Sequence, residues 1–354
     1  MGLIDKSGSF SQYTTTTELP DDFLNNITDR IRYHAFTDID EETIQEQSSG
    51  WVDISNMLDN KFETLGFLKE PYIAMSLRID SRTVPAEALK RYCLIEEERI
   101  KIAQNTDFLS KVRRTEIKEQ TRLQLLKRVI PASKTYDMIW NYTTGRLIFA
   151  STNAKLCDEF QNLFAKTFNI ETDSIHPAML GSDILTANKF SNNDADNFTH
   201  FEYIGSDFLT WLWHQINEQK NTFKFKDDSV QIWFDEKVVL QYGSDTDLET
   251  VTCIGDSQAM TEIKTAINEN KRITQAKLFV SSDSSEWSFV LDAAYLDFKS
   301  VKTPKVILNK DDPDGTFYEK MYLLDDIIDI VNTVYSVFVI EHANKLKGKS
   351  NVKK

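Results

Sequence analysis

Hydrophobic residues recur along this chain with two alternating periods, so strands and helices are both expected. Tyr72–Ile79 alternates as a strand, and the Arg82–Pro85 turn then opens a helical stretch over about Pro85–Arg128, broken near Asn105–Ser110. Tyr136–Tyr142 and Arg146–Ala150 pattern as a hairpin whose Thr144-Gly145 turn supplies the permissive backbone of a tight reversal. Leu156, Phe160, Leu163, Phe164 and Phe168 fall at i, i+4, i+7, i+8 and i+12, which predicts a core-facing helix over Asn153–Phe168.

The first twenty residues, with Thr14–Thr17 and Pro20, read as extended, followed by a helix over about Asp21–Tyr33 that an aspartate after Pro20 can cap. Further on, the pattern predicts a helix at Phe208–Asn217 and strands at Val230–Phe234 and Lys237–Tyr242 joined at Asp235-Glu236. Lys277–Ser281 and Trp287–Leu291 form another strand pair, Asp311–Gly315 a turn, and about Thr316–His342 a long amphipathic helix. Hairpins interspersed with helices predict an α+β fold of mixed, mainly antiparallel sheets with a projecting long-helix finger. The Asn- and Asp-rich stretch Asn188–Asp196 is the expected boundary. It separates an α+β domain over 1–187, with the finger at about 85–130, from a second over 197–345; the basic tail 346–354 is expected to be disordered.

With 354 residues, 41% of them apolar, the chain can bury more than one core, in keeping with two domains. Cys93, Cys157 and Cys253 are odd in number and far apart, which excludes a disulfide framework, fits a reducing compartment and leaves them as small apolar core residues. No stretch approaches the roughly 18 apolar residues of a membrane span, and the start is not a secretory signal. Met1-Gly2 suggests myristoylation, but Lys6 stands where that motif takes Ser or Thr. A soluble intracellular protein is expected.

Charge changes this picture. Between Ser110 and Lys134 stand eight basic residues and two glutamates, a window of +6 in a chain of −14, which leaves −20 for the rest. A local positive field on an acidic protein guides a polyanion while limiting indiscriminate sticking, so nucleic acid is the first partner to consider. Lys111, Arg114, Lys118 and Arg122 lie at i, i+3, i+7 and i+11, within an arc of roughly 80° on a helix. Such a row can follow a phosphate backbone. Val112, Leu123, Leu126 and Ile130 cluster partly on another face, by which the helix can anchor. A merely solvated charged face has the same spacing.

From Ser49 to about Asn169 the chain resembles the RdgC family of recombination-associated bacterial proteins. The resemblance rests on Gly50-Trp51-Val52, Thr83-Val84-Pro85 leading into a helix, Arg114-Thr115-Glu116-Ile117-Lys118-Glu119 and Leu125-Leu126-Lys127-Arg128. It continues through Ile139-Trp140, Gly145-Arg146-Leu147-Ile148 and Ala154-Lys155, with weaker similarity past Leu278–Phe298. Order and spacing carry it, not any single motif. The resemblance implies a cytoplasmic, nucleoid-associated homodimer that closes into a ring, binds duplex DNA without sequence preference in a positively lined hole, and restrains a RecA-type recombinase. Arg113, Arg114, Lys118 and Arg122 match the family's basic finger; Lys111, Lys127 and Arg128 extend the candidate DNA-contacting set. Where the family reads Leu-Leu-Pro-Arg-Ala-Phe, this chain has Leu125-Leu126-Lys127-Arg128-Val129-Ile130, so Ile130 stands at the aromatic position of a dimer contact.

Other chemistry finds little footing. Asp235-Glu236-Lys237 resembles the acidic-x-Lys element of metal-dependent nucleases, but a charged turn has the same composition and no partner acid is identifiable upstream. His34, His176, His200, His214 and His342 lack ligand spacing, and Asp194, Asp196 and His200 fall in a stretch read as a polar loop. Asp311-Asp312-Pro313-Asp314-Gly315 lacks the distal acid of a calcium loop. Phe208, Trp211, Leu212 and Trp213 suit either a core helix or a base-stacking platform, and core is the expectation. No catalytic residue, metal or cofactor is expected. The rivals are a metal-dependent nuclease or nuclease accessory, and an acidic protein-interaction module.

Overall fold

The computed structural model describes residues 3, 8–15, 18–40, 42–243, 247–255, 257–283, 285–306 and 312–352, with backbone alone at 257–260, 313 and 348–352. Met1-Gly2, Lys6, Thr16, Thr17, Asp311, Lys353 and Lys354 lie outside the described residues. The N-terminal half runs β1 (Gly8–Thr15), a 3₁₀ turn (Phe23–Asn26), α1 (Ile27–Tyr33), β2 (Gln47–Asp53), β3 (Leu68–Lys69), β4 (Tyr72–Ser81), α2 (Ala86–Gln104), α3 (Lys111–Leu126), β5 (Ala132–Asn141), β6 (Arg146–Phe149), α4 (Ala154–Phe168), β7 (Thr172–Ser174), α5 (Pro177–Ala187) and α6 (Asn192–Phe198). The C-terminal half adds α7 (Ile204–Asn217), β8 (Thr222–Phe225), β9 (Asp228–Tyr242), β10 (Glu249–Ile254), α8 (Ser257–Asn268), β11 (Arg272–Ser281), β12 (Glu286–Asp292), β13 (Asp297–Lys302) and α9 (Pro313–Val352). The fold is α+β, as expected, and its strand ladders are antiparallel.

One sheet runs through both halves in the order β10-β9-β11-β12-β13-β1-β6-β5-β4-β2. β1 makes the junction by pairing with β13 at Gly8 and Phe10 and with β6 from Ser11 to Thr14. Phe10 stacks on Phe298 across it at 5.0 Å. One apolar cluster fills the space between the N-terminal strands and α1 and α4; it includes Trp51, Trp140, Phe149, Phe160, Phe164 and Phe168. A second joins the C-terminal strands to helices α5–α9 and reaches under the first half through Ala74, Ile139 and Ile148. Gly50 is required where β2 crosses the backbone of Phe36, because a Cβ there would stand 2.5 Å from Phe36 N and Cα. α9 is also tied to the first half by Arg146, which reaches Asp325 at 2.7 Å, and by Tyr72, whose hydroxyl donates to the same carboxylate.

Several elements differ from the expected ones, each for a local reason. Val230–Phe234 and Lys237–Tyr242 are one strand, β9, and not a hairpin. Asp235 and Glu236 form a bulge where the register against β11 shifts, so the partner strand continues past them. Asn192–Phe198 is helical, because Ser191 and Asp194 cap each other's backbone groups. α1 starts late, behind the 3₁₀ turn, and Asp22 makes no side-chain cap. α9 runs past His342 to Val352, over tail residues expected to be disordered: Lys345 meets Glu341 one turn back, and Lys347 reaches Asp194 at 2.9 Å. The Phe208 helix is core, with Phe208, Leu212 and Trp213 buried and Trp211 half-buried against Phe338.

The strand junction holds a titratable carboxyl. Asp297 opens β13 beside a cavity of about 170 Å³ that Ser11, Tyr13 and Cys157 also line. Burial raises its pKa to about 6, a Ser11 hydrogen bond opposes the rise, Asp292 adds to it and Lys299 subtracts. The folded state therefore holds the proton more tightly than the unfolded one, and stability falls as pH rises from about 4 to about 6. Asp297→Asn is expected to flatten that dependence in thermal melts and to raise the melting temperature at pH 7.5 by a few degrees.

Candidate nucleic-acid interface

The finger is an insertion between two neighbouring strands. β4 and β5 pair as far as Ser81 opposite Ala132, and residues 82–131 leave from that last rung. α2, about 28 Å long at 1.5 Å per residue, runs out and α3 returns. Asn105, in the left-handed conformation, ends α2, and Ser110 caps α3 by accepting from the Arg113 amide. α2 has no buried residue and the two helices are each other's main neighbours, so the pair stands off the body as a projecting arm.

The packing face of α3 agrees only in part with the one expected: Leu126 is buried and Leu123 half-buried, but Val112 and Ile130 are not. Ile117, Thr121 and Leu126 are buried, whereas Val112 is 69% and Ile130 88% exposed. α2 covers the side next to the basic row, and this places carboxylates within reach of it. Arg114 Nε lies 3.7 Å from Glu97 of α2, and Arg113 pairs with Glu116 at 2.8 Å one turn along. Arg122 is held by Glu119 at 3.3 Å and by Glu46, just before β2, at 2.9 Å. The Glu46 carboxyl is consequently held below its usual range, by its hydrogen bond to Arg122 first and by charge second.

The other candidate cations have no such partner among the described residues. Among the described residues no carboxylate pairs with Lys111, Lys118, Lys127 or Arg128, all of which are exposed. Lys111 and Lys118 stand on α3, and Lys127 and Arg128 lie in the turn at its foot. The row thus mixes unpaired lysines, ready for a polyanion, with arginines oriented by glutamates. At the far end of the arm Ile102 and Phe108 are each 73% exposed, forming with Val112 an apolar margin beside the cations.

A family model described as "Putative exonuclease, RdgC" matches residues 10–198. This is just over half of the chain and spans β1 through α6, with the whole arm inside it. The chain belongs to the RdgC family. Membership places the arm and its supporting sheet in a recombination-related, DNA-binding family, while β8–β13 and α9 lie beyond the match. No curated protein matches the chain.

The nuclease candidate has another explanation in this member of the RdgC family. Lys277 Nζ, from the neighbouring strand β11, sits 2.8 Å from Asp235 and 2.7 Å from Glu236, so the acids at the bulge are engaged by a cation. Among the described residues no group of three His, Cys, Asp or Glu side chains is arranged to hold a metal ion. Asp194, one of the loop candidates, serves as the α6 cap and the Lys347 partner. Among the described residues no helix is long and apolar enough to cross a membrane.

Proposed function

We infer that the protein binds duplex DNA without reading its sequence, through the cationic row of α3, and that it is not an enzyme. The observation that carries this reading is that Lys111 and Lys118 on one face of α3, and Lys127 and Arg128 at its foot, are exposed and pair with no carboxylate among the described residues, on an arm that stands clear of the body. Lysine and arginine meeting phosphates release counterions, which supplies affinity without any base contact. RdgC membership supports the same ligand. In this reading two copies close into a ring around the duplex and modulate recombination by restraining a RecA-type recombinase in the cytoplasm, on the nucleoid. The exposed Ile102, Phe108, Val112 and Ile130 support a second copy as the neighbour of the arm.

A mobility-shift assay with plasmid DNA at low and moderate salt, with and without Mg²⁺, tests the reading. Retarded, intact plasmid that is released as salt rises is the expected result. Mg²⁺-dependent degradation of linear DNA, abolished by Asp235→Ala, would establish the nuclease instead. Absence of any shift at low salt would leave the acidic interaction module.

A further inference from the structure

Arg122 meets Glu119 of the arm at 3.3 Å, but it differs from the other paired arginines of the row in having a second partner mounted elsewhere. Arg113 and Arg114 meet Glu116 and Glu97, which belong to the arm itself. Glu46 belongs to the body and stands 76 positions away in sequence. It is held firmly: the backbone amide of Arg82, at the root of the arm, donates to the Glu46 carbonyl at 2.8 Å. The buried Arg82 guanidinium also donates to the carbonyls of Ile39, Asp40 and Thr43, and so ties these residues, which precede Glu46, to the root of the arm. The carboxylate is therefore delivered to Arg122 by the framework, and both side chains remain open to solvent, at 51% and 32% exposure.

We propose that Glu46 is a built-in competitor for phosphate, a body-mounted carboxylate that occupies Arg122 in the free protein and is displaced when a polyanion lies along the row. The proposal rests on the reading that this row contacts duplex DNA. A carboxylate and a phosphate oxygen present the same acceptor geometry to a guanidinium, so one replaces the other on the same donors. An exposed ion pair is weak enough to exchange, and masking by it lowers affinity about 2–5-fold per row. Exchange also breaks a link between arm and body, so binding and arm orientation are coupled at this residue. Lys111 and Lys118, which have no such competitor among the described residues, make the first contacts.

The test is a titration of a fluorescently labelled duplex by the full-length protein, read by anisotropy at fixed salt, with thermal melts confirming each variant's fold. Glu46→Gln is expected to bind at least about 3-fold more tightly than wild type. Glu42→Gln, the same charge change at an exposed neighbour that pairs with no described cation, serves as the control for general electrostatics and should shift affinity less. In an Arg122→Ala background the gain from Glu46→Gln should vanish. Equal effects of Glu46→Gln and Glu42→Gln, or a gain that survives Arg122→Ala, would overturn the competitor role. A Lys111→Ala/Lys118→Ala double variant separates the two levels. Weakened binding there with no specific Glu46 effect removes only this inference, whereas unchanged binding removes the DNA-contacting row and the inference with it.

Discussion

Replacing Arg114, Lys118 and Arg122 together by alanine is expected to lower duplex affinity about 10³-fold at moderate salt, because the two facing rows of the proposed ring would then lose six phosphate contacts worth roughly half a decade each. The fold should survive. All three side chains are at least partly exposed, and the ion pairs that two of them make are worth only about 0–1 kcal/mol each in water. Melting temperature and circular dichroism therefore check that affinity alone has changed. The single variants should rank by what each cation gives up in order to bind. Lys118→Ala should cost more than Arg114→Ala, because Arg114 first leaves Glu97 whereas Lys118 leaves only water. A triple variant that binds like wild type would place the ligand elsewhere on the molecule.

The second large effect is on stability. Trp140 of β5 is fully buried, with Phe164 and Phe168 at ring separations of 5.1 and 5.4 Å and Phe23 edge-on at 5.6 Å. Its indole N–H donates to Thr15 Oγ1 at 3.0 Å, which ties the strand carrying the foot of the arm to the junction strand β1. Trp140→Ala removes the rings' common neighbour and leaves a cavity, at a cost of about 3–5 kcal/mol. Against a typical total of about 5–15 kcal/mol this moves chemical and thermal unfolding midpoints strongly. A midpoint shift below that of an average surface substitution would contradict the packing described here.

Much of this architecture is written in local pattern. The arm is legible because a helical stretch of polar residues, broken at Asn105–Ser110, sits between two alternating strands, and the observed helices stop on either side of that break. The hairpin at Gly145 and the aromatic stripe of α4 follow in the same way, since each depends on spacing within a dozen residues. What sequence reading missed depends on partners far along the chain. The apparent turn at Asp235-Glu236 is a bulge because β11 continues past it and supplies Lys277. Val112 and Ile130 form as good an apolar face as Ile117 and Thr121, and only the position of α2 decides which is covered. The pairing of Arg122 with Glu46 is invisible in sequence for the same reason, although it bears directly on the binding row.

The salt dependence of wild-type affinity tests the central claim most directly. With about four contacts from each of the two facing rows of the proposed ring and about 0.9 counterion released per phosphate neutralised, the log of the association constant against the log of monovalent salt should fall with a slope of roughly −7. A slope near zero would mean that cations of the arm do not meet phosphates, and would contradict the account.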